Sequence, residues 1–191
     1  MPLAIIYSRA KAGINAPLVT VEVHISNGLP GLAIVGLPEA AVKESKDRVR
    51  SALINSHFEF PTRRVTVNLA PADLPKEGGR FDLPIALGIL VASGQIPIDT
   101  IDNYEFLGEL ALGGGIRPIS GVLPAALSCS AAKRTLIIPS ENSTEAALID
   151  QLEVLAPNHL LQLTAHLLNK ETLSAVTKPT ILTKPNYPDL S

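Results

Sequence analysis

The stretch NLAPADLPKEGGRFDLPIALGIL, residues 68–90, most constrains the fold, because it sets a charged glycine loop between a strand and an apolar helix. The residues RRVTVNLA alternate Val65, Val67 and Leu69 with Thr66 and Asn68, the two-residue period of a half-buried strand. Beyond the loop the spacing predicts a helix from Leu83, with Asp82 as its cap and Pro84 tolerated in a first turn whose amides lack intrahelical partners. Gly78 and Gly79 let the backbone approach a guest closely, and Lys76, Arg80 and the positive end of the helix dipole converge on the same loop. The arrangement reads as an anion site or, more plainly, as a turn with solvated cations. The sequence contains no G-x-x-x-x-G-K-[ST], and no G-x-G-x-x-G follows a strand, so neither of those phosphate-binding devices is present.

Strands and helices alternate through the rest of the chain. Residues 3–8 and 18–25 read as strands, the second with Val19, Val21, Val23 and Ile25 on one face and Thr20, Glu22 and His24 on the other. After an Asn27-Gly28 turn, the run GLAIVG is apolar on both faces, the pattern of a central strand covered on two sides. Residues 38–56 take the helical period, with Val42, Val49, Ala52 and Leu53 on one stripe and Lys43, Lys46 and Arg50 on another. Residues 104–110 read as one strand, followed by a break at Gly113, Gly114 and Gly115 and a short extended IRPIS. Helices at 121–132, 143–150 and 159–168 then alternate with strands at 135–139 and 154–156, a βαβα rhythm that predicts an α/β fold. From residue 172 to 191 periodicity stops, and Pro179, Pro185 and Pro188 indicate an extended linker that packs on nothing.

A chain of 191 residues suits one domain plus a tail. The single Cys129 excludes an internal disulfide and fits a reducing compartment. The N-terminus lacks a basic leader, and the longest apolar run, residues 83–92, is too short to span a bilayer, so the expectation is a cytoplasmic protein with no membrane partner. The net charge of −2 conceals a local bias: half of the 16 basic side chains fall between residues 39 and 80, against six acidic ones. They are Lys43, Lys46, Arg48, Arg50, Arg63, Arg64, Lys76 and Arg80. Of the histidines only His159 and His166 share a helical face, which is no metal-site spacing, and no metal is expected. Phe58, Phe60 and Phe81 read as core or interface residues and not as a stacking platform for bases.

Three segments carry a family resemblance: YSRAKAGINAPLVTVEVHISNGLPGLAIVGLPEAAVKESKDRVRSAL, RRVTVNLAPADLPKEGGRFDLPIALGIL and GELALGGGIRPISGVLPAAL. They closely resemble the N-terminal domain of the ComM/YifB family, the magnesium-chelatase-like AAA+ proteins of bacteria. The resemblance implies a two-layer α+β arrangement, the Lon proteolytic-domain-like fold of the ribosomal-protein domain-2-like superfamily. It implies residues 1–170 as that domain and residues 171–191 as a linker leading to an AAA+ module absent from this chain. ATP and Mg would belong to that module, with no cofactor here. The family's activity implies a hexameric DNA motor, a branch-migration helicase of recombination and natural transformation. Aligned on the Lon-type pattern, the nucleophile position is Arg80 and the lysine position is Leu123. An arginine cannot be acylated and a leucine cannot take a proton, so the resemblance implies no catalytic residues and no enzyme activity in this chain.

Two readings of the basic cluster stay open at this point. Its side chains either neutralise DNA phosphates with little sequence preference or pair with acids such as Glu39, Glu44, Asp47, Glu77 or Asp82 across the subunit interface of a homo-oligomeric ring. In the second case the domain is a purely structural scaffold.

Overall fold

The computed structural model describes residues 3–178. Its main sheet has seven strands: β1 (Ala4–Arg9), β2 (Leu18–Ser26), β3 (Gly31–Val35), β4 (Arg64–Ala70), β5 (Tyr104–Phe106), β8 (Thr135–Ile137) and β9 (Val154–Leu155). A separate two-stranded ribbon pairs β6 (Glu109–Leu110) with β7 (Ile116–Arg117). The helices are α1 (Ala40–Lys43), α2 (Ser45–Asn55), α3 (Asp82–Ala92), α4 (Val122–Ala131), α5 (Ser143–Ala146) and α6 (Leu160–Leu167). The strand order is β3-β4-β2-β1-β5-β8-β9. Only β4/β2 and β2/β1 are antiparallel; the other four pairings are parallel, which gives the α/β class expected from the βαβα rhythm.

Alternation sets which face of the sheet is covered. Val19, Val21, Val23 and Ile25 of β2 and Val65, Val67 and Leu69 of β4 are buried, and α3 packs on β1 and β2. Every residue of α3 is buried, as suits a helix apolar on all sides that lies between the sheet and α2. On β8, Ile137 joins this core while its neighbours Leu136 and Ile138 join a second one with Val122, Ala126 and Cys129 of α4. Successive strand residues point to opposite faces, so α4 covers the face opposite to α3 in this half of the sheet.

Several elements differ from their sequence reading: the helix read at 38–56 divides into α1 and α2, and the one read at 143–150 shortens to the single turn α5. The run GLAIVG is not a central strand: β3 lies at the sheet edge, paired among the described residues only with β4, and Val35 remains 46% exposed. The 104–110 strand breaks at Gly108, where a Cβ would come within 2.8 Å of the Ile116 side chain. There the chain leaves the sheet: Gly108 donates its amide to the Arg80 carbonyl at 3.1 Å and accepts from the Leu83 amide at 3.0 Å. The tail is not free at its start, since the Val176 amide donates to the Val154 carbonyl at 2.8 Å and Leu173 and Val176 pack on the two cores. The remainder of the linker expected at 171–191, residues 179–191, lies outside the described residues.

A buried charge network ties β1 to β5 and β8. Glu105, fully buried, receives two hydrogen bonds from Arg9 at 2.7 Å each and one from Arg134 at 3.2 Å. Arg134 also lies over the Tyr7 ring, 4.0 Å from its centroid. Each charge has a partner, which is the condition under which such groups are tolerated inside.

Candidate functional site

The loop between β4 and α3 is built from its interior outwards. Lys76 is buried, and its ammonium donates to the Pro71 carbonyl and, at 2.8 Å, to the Gly36 carbonyl. Its own carbonyl accepts from the Glu39 amide at 3.1 Å, so it joins the β3–α1 turn to the loop. Burial pushes the Lys76 ammonium below its ordinary pKa.

Asp82 does not cap α3. It is the first residue of the helix, after an N-cap at Phe81, and its carboxylate turns inward. Oδ2 accepts from Arg48 Nε at 2.6 Å and from the Leu110 amide at 3.1 Å, while Oδ1 accepts from Arg48 Nη2 at 3.1 Å and from the Ser45 hydroxyl. Burial pushes the Asp82 carboxyl up against the opposing pull of these donors, and the bond to Asp82 raises the Arg48 guanidinium.

The expected anion site at the helix start does not form. The Asp82 amide donates to the Gly79 carbonyl at 3.0 Å, the Leu83 amide to the Gly108 carbonyl at 3.0 Å, and Pro84 has no amide hydrogen. The first-turn donors that would hold an anion are thus spent on the protein's own carbonyls.

A cleft of about 290 Å³ opens instead on the other side of the loop, lined by Lys11, Glu77–Arg80, Glu109 and Pro118–Ser120. Arg80 is 4% exposed and donates to the Ser120 carbonyl and, at 3.5 Å, to the Arg9 carbonyl. Burial pushes its guanidinium below the ordinary value, against the attraction of Glu77. Gly79 lines the cleft beside Glu109, whose carboxylate would collide with a Cβ at this position. Leu123, aligned with the Lon-type lysine, lies in the first turn of α4, where its amide donates to Glu145 at 2.8 Å.

The basic cluster therefore divides. Lys76 and Arg80 are buried and Arg48, half-buried, is held by Asp82, so these three do not form a phosphate-facing surface as they stand. Lys43, Arg50, Arg63 and Arg64 are exposed and Lys46 is half-buried. Arg50 lies over Phe60, 4.8 Å from the ring centroid, which draws the α2 charges toward the segment leading into Arg63 and Arg64. Phe60 and Phe58 pack against the core and Phe81 is fully buried within it.

His159 and His166 are engaged with protein groups. His159 Nδ1 accepts from the Leu161 amide and Nε2 donates to the Gly113 carbonyl at 2.9 Å; His166 Nδ1 accepts from the Leu173 amide and Nε2 donates to the Tyr104 hydroxyl at 3.2 Å. No group of three or more potential metal ligands occurs among the described residues. Among them, too, no helix is long and apolar enough to cross a membrane. Sequence reasoning missed Lys11 and Ser120 as cleft residues, since neither lies in the charged loop and only the fold brings them to it.

Comparison with known proteins places this architecture in a magnesium-chelatase-like class. The chain belongs to the family described as subunit ChlI of Mg-chelatase, whose profile matches residues 21–142. It is 54% identical to the competence protein ComM of Haemophilus influenzae over 178 residues, covering 93% of this chain and 35% of that protein. It is 51% identical to YifB of Escherichia coli over 180 residues, covering 94% and 35%. The chain thus spans about a third of the length of these relatives. Lon protease 2 of Bacillus subtilis is 39% identical over 90 residues, covering 45% of this chain and 16% of that protein, in keeping with the Lon-like fold.

Proposed function

We propose that this chain is a non-proteolytic domain of a magnesium-chelatase-like DNA motor, one that contributes DNA-backbone contacts and ring assembly to branch migration in recombination and natural transformation. The observation that carries the DNA contact is the surface group Lys43, Lys46, Arg50, Arg63 and Arg64, which remains outside while Arg48, Lys76 and Arg80 are absorbed by the fold. Surface lysines and arginines of this kind bind phosphates with little sequence preference. That one relative is named a competence protein supports the link to natural transformation. An ATP- and Mg-dependent AAA+ module beyond this chain would supply the motor.

A second reading, an oligomerisation scaffold, draws on the apolar edge. Leu29 is 89% exposed and Leu37 55% exposed at the two ends of β3, whose outer edge pairs with no strand among the described residues.

Fluorescence anisotropy with duplex and single-stranded DNA across a salt series tests the first reading. Binding should fall with salt, and Lys43→Glu with Arg50→Glu should weaken it on any sequence while flattening the log–log salt slope by about two. Salt-insensitive binding, or binding unchanged by both reversals in a folded protein, rejects the DNA contact. Sedimentation of the longer protein with Leu29→Asp and Leu37→Asp tests the scaffold; unchanged assembly rejects it.

A further inference from the structure

The cleft beside the loop brings two cationic side chains to Ser120, neither of them ion-paired among the described residues. Arg80 donates to the Ser120 carbonyl, and Lys11 Nζ lies 3.5 Å from the Ser120 hydroxyl oxygen. Neither cation has a carboxylate within 4 Å among the described residues. Arg9, Arg48 and Arg134 each hold a carboxylate at 3.2 Å or less, whereas Arg80, like the buried Lys76, is held by backbone carbonyls. A guanidinium that is 4% exposed, held by two carbonyls and drawn to Glu77 without an ion pair, is costly, and a second cation on the same residue adds repulsion. An anion seated between them removes both penalties.

The acids of the cleft restrict which anion fits. Glu77 and Glu109 line the same space, and Glu109 is only loosely paired, 3.8 Å from Arg117. A phosphate monoester, carrying nearly two negative charges, would be repelled by them. A single carboxylate with a neighbouring N–H group satisfies both sides, with its oxygens toward Lys11 and Arg80 and its N–H toward a glutamate.

We propose that this cleft binds a carboxylate flanked by an N–H donor, the chemistry of a free α-amino acid and of the C-terminal residue of a peptide. Titration of L-alanine and of N-acetyl-L-alanine into the 191-residue chain, followed by amide NMR shifts of Gly79, Ser120 and Gly121, tests it. Saturable shifts with L-alanine point to the free amino acid, and saturable shifts with N-acetyl-L-alanine alone point to a peptide terminus. Arg80 is buried and its replacement also removes two backbone contacts, so the exposed change Lys11→Gln carries the mutational arm. It should weaken the binding about tenfold. The proposal is overturned by the absence of a saturable shift with either probe, by inorganic phosphate binding more tightly than both, or by unchanged affinity in Lys11→Gln.

Discussion

Arg48 holds Asp82 through two nitrogens, Nε at 2.6 Å from Oδ2 and Nη2 at 3.1 Å from Oδ1, and so fastens α2 to the first residue of α3. The contact is part of a closed set, because Ser45 and the Leu110 amide occupy the remaining acceptor positions. Asp82→Ala takes from Arg48 its close carboxylate, leaving it the Ala41 carbonyl, Ser45 and the more distant Glu44, and leaves the Leu110 amide without its acceptor. It should lower stability by about 3 kcal/mol in urea denaturation, whereas Glu44→Ala, which removes an exposed acid 3.8 Å from Arg48, should cost less than about 1 kcal/mol.

Lys76 should give the protein an alkaline-side stability slope. Its folded pKa lies below the ordinary 10.5, so between the two values the unfolded chain binds more protons than the folded one. Stability therefore rises with pH through the window just below 10.5 and is reduced by this group at lower pH. Lys76→Met should remove that rise in denaturation curves collected from neutral to alkaline pH; an identical slope in both proteins would contradict the assignment.

Cys129 should be inert in the folded protein. Burial beside Glu105 pushes its thiol well above the ordinary range, and the group donates to the Arg134 carbonyl at 3.2 Å. An aromatic disulfide reagent at neutral pH should modify it at least about a hundredfold more slowly than in denaturant. Rapid labelling of the native chain would show that the α4 core opens readily.

The two histidines of α6 and its cap should share one tautomer. Each Nδ1 accepts from a backbone amide, Leu161 or Leu173, and each Nε2 is left to donate. Long-range nitrogen–proton NMR spectra at neutral pH should show both as Nε2–H forms.

Local patterns carried the elements, and long-range pairing decided their roles. The alternation in β2 and β4 was legible because half-burial writes itself into a two-residue period, and the apolar α3 was legible from its unbroken run. The edge position of β3 was not, since an apolar five-residue run is the same on a central strand and on an edge that exposes Val35. Asp82 carried a sound capping signal that lost to Arg48 and Ser45, 34 and 37 residues away in sequence. The cations of the loop were found, but their direction was not: Lys76 and Arg80 turned toward carbonyls, and the second cation of the cleft came from Lys11, far upstream.

Gly108 bonds in both directions to the loop, taking the Arg80 carbonyl with its amide and giving its carbonyl to Leu83. Glu109 follows immediately, so two walls of the cleft, Arg80 and Glu109, are joined by main chain and not by mobile side chains. The aperture is accordingly fixed when the chain folds. A guest of the kind proposed above would meet a gauge of set width and pay little to organise it.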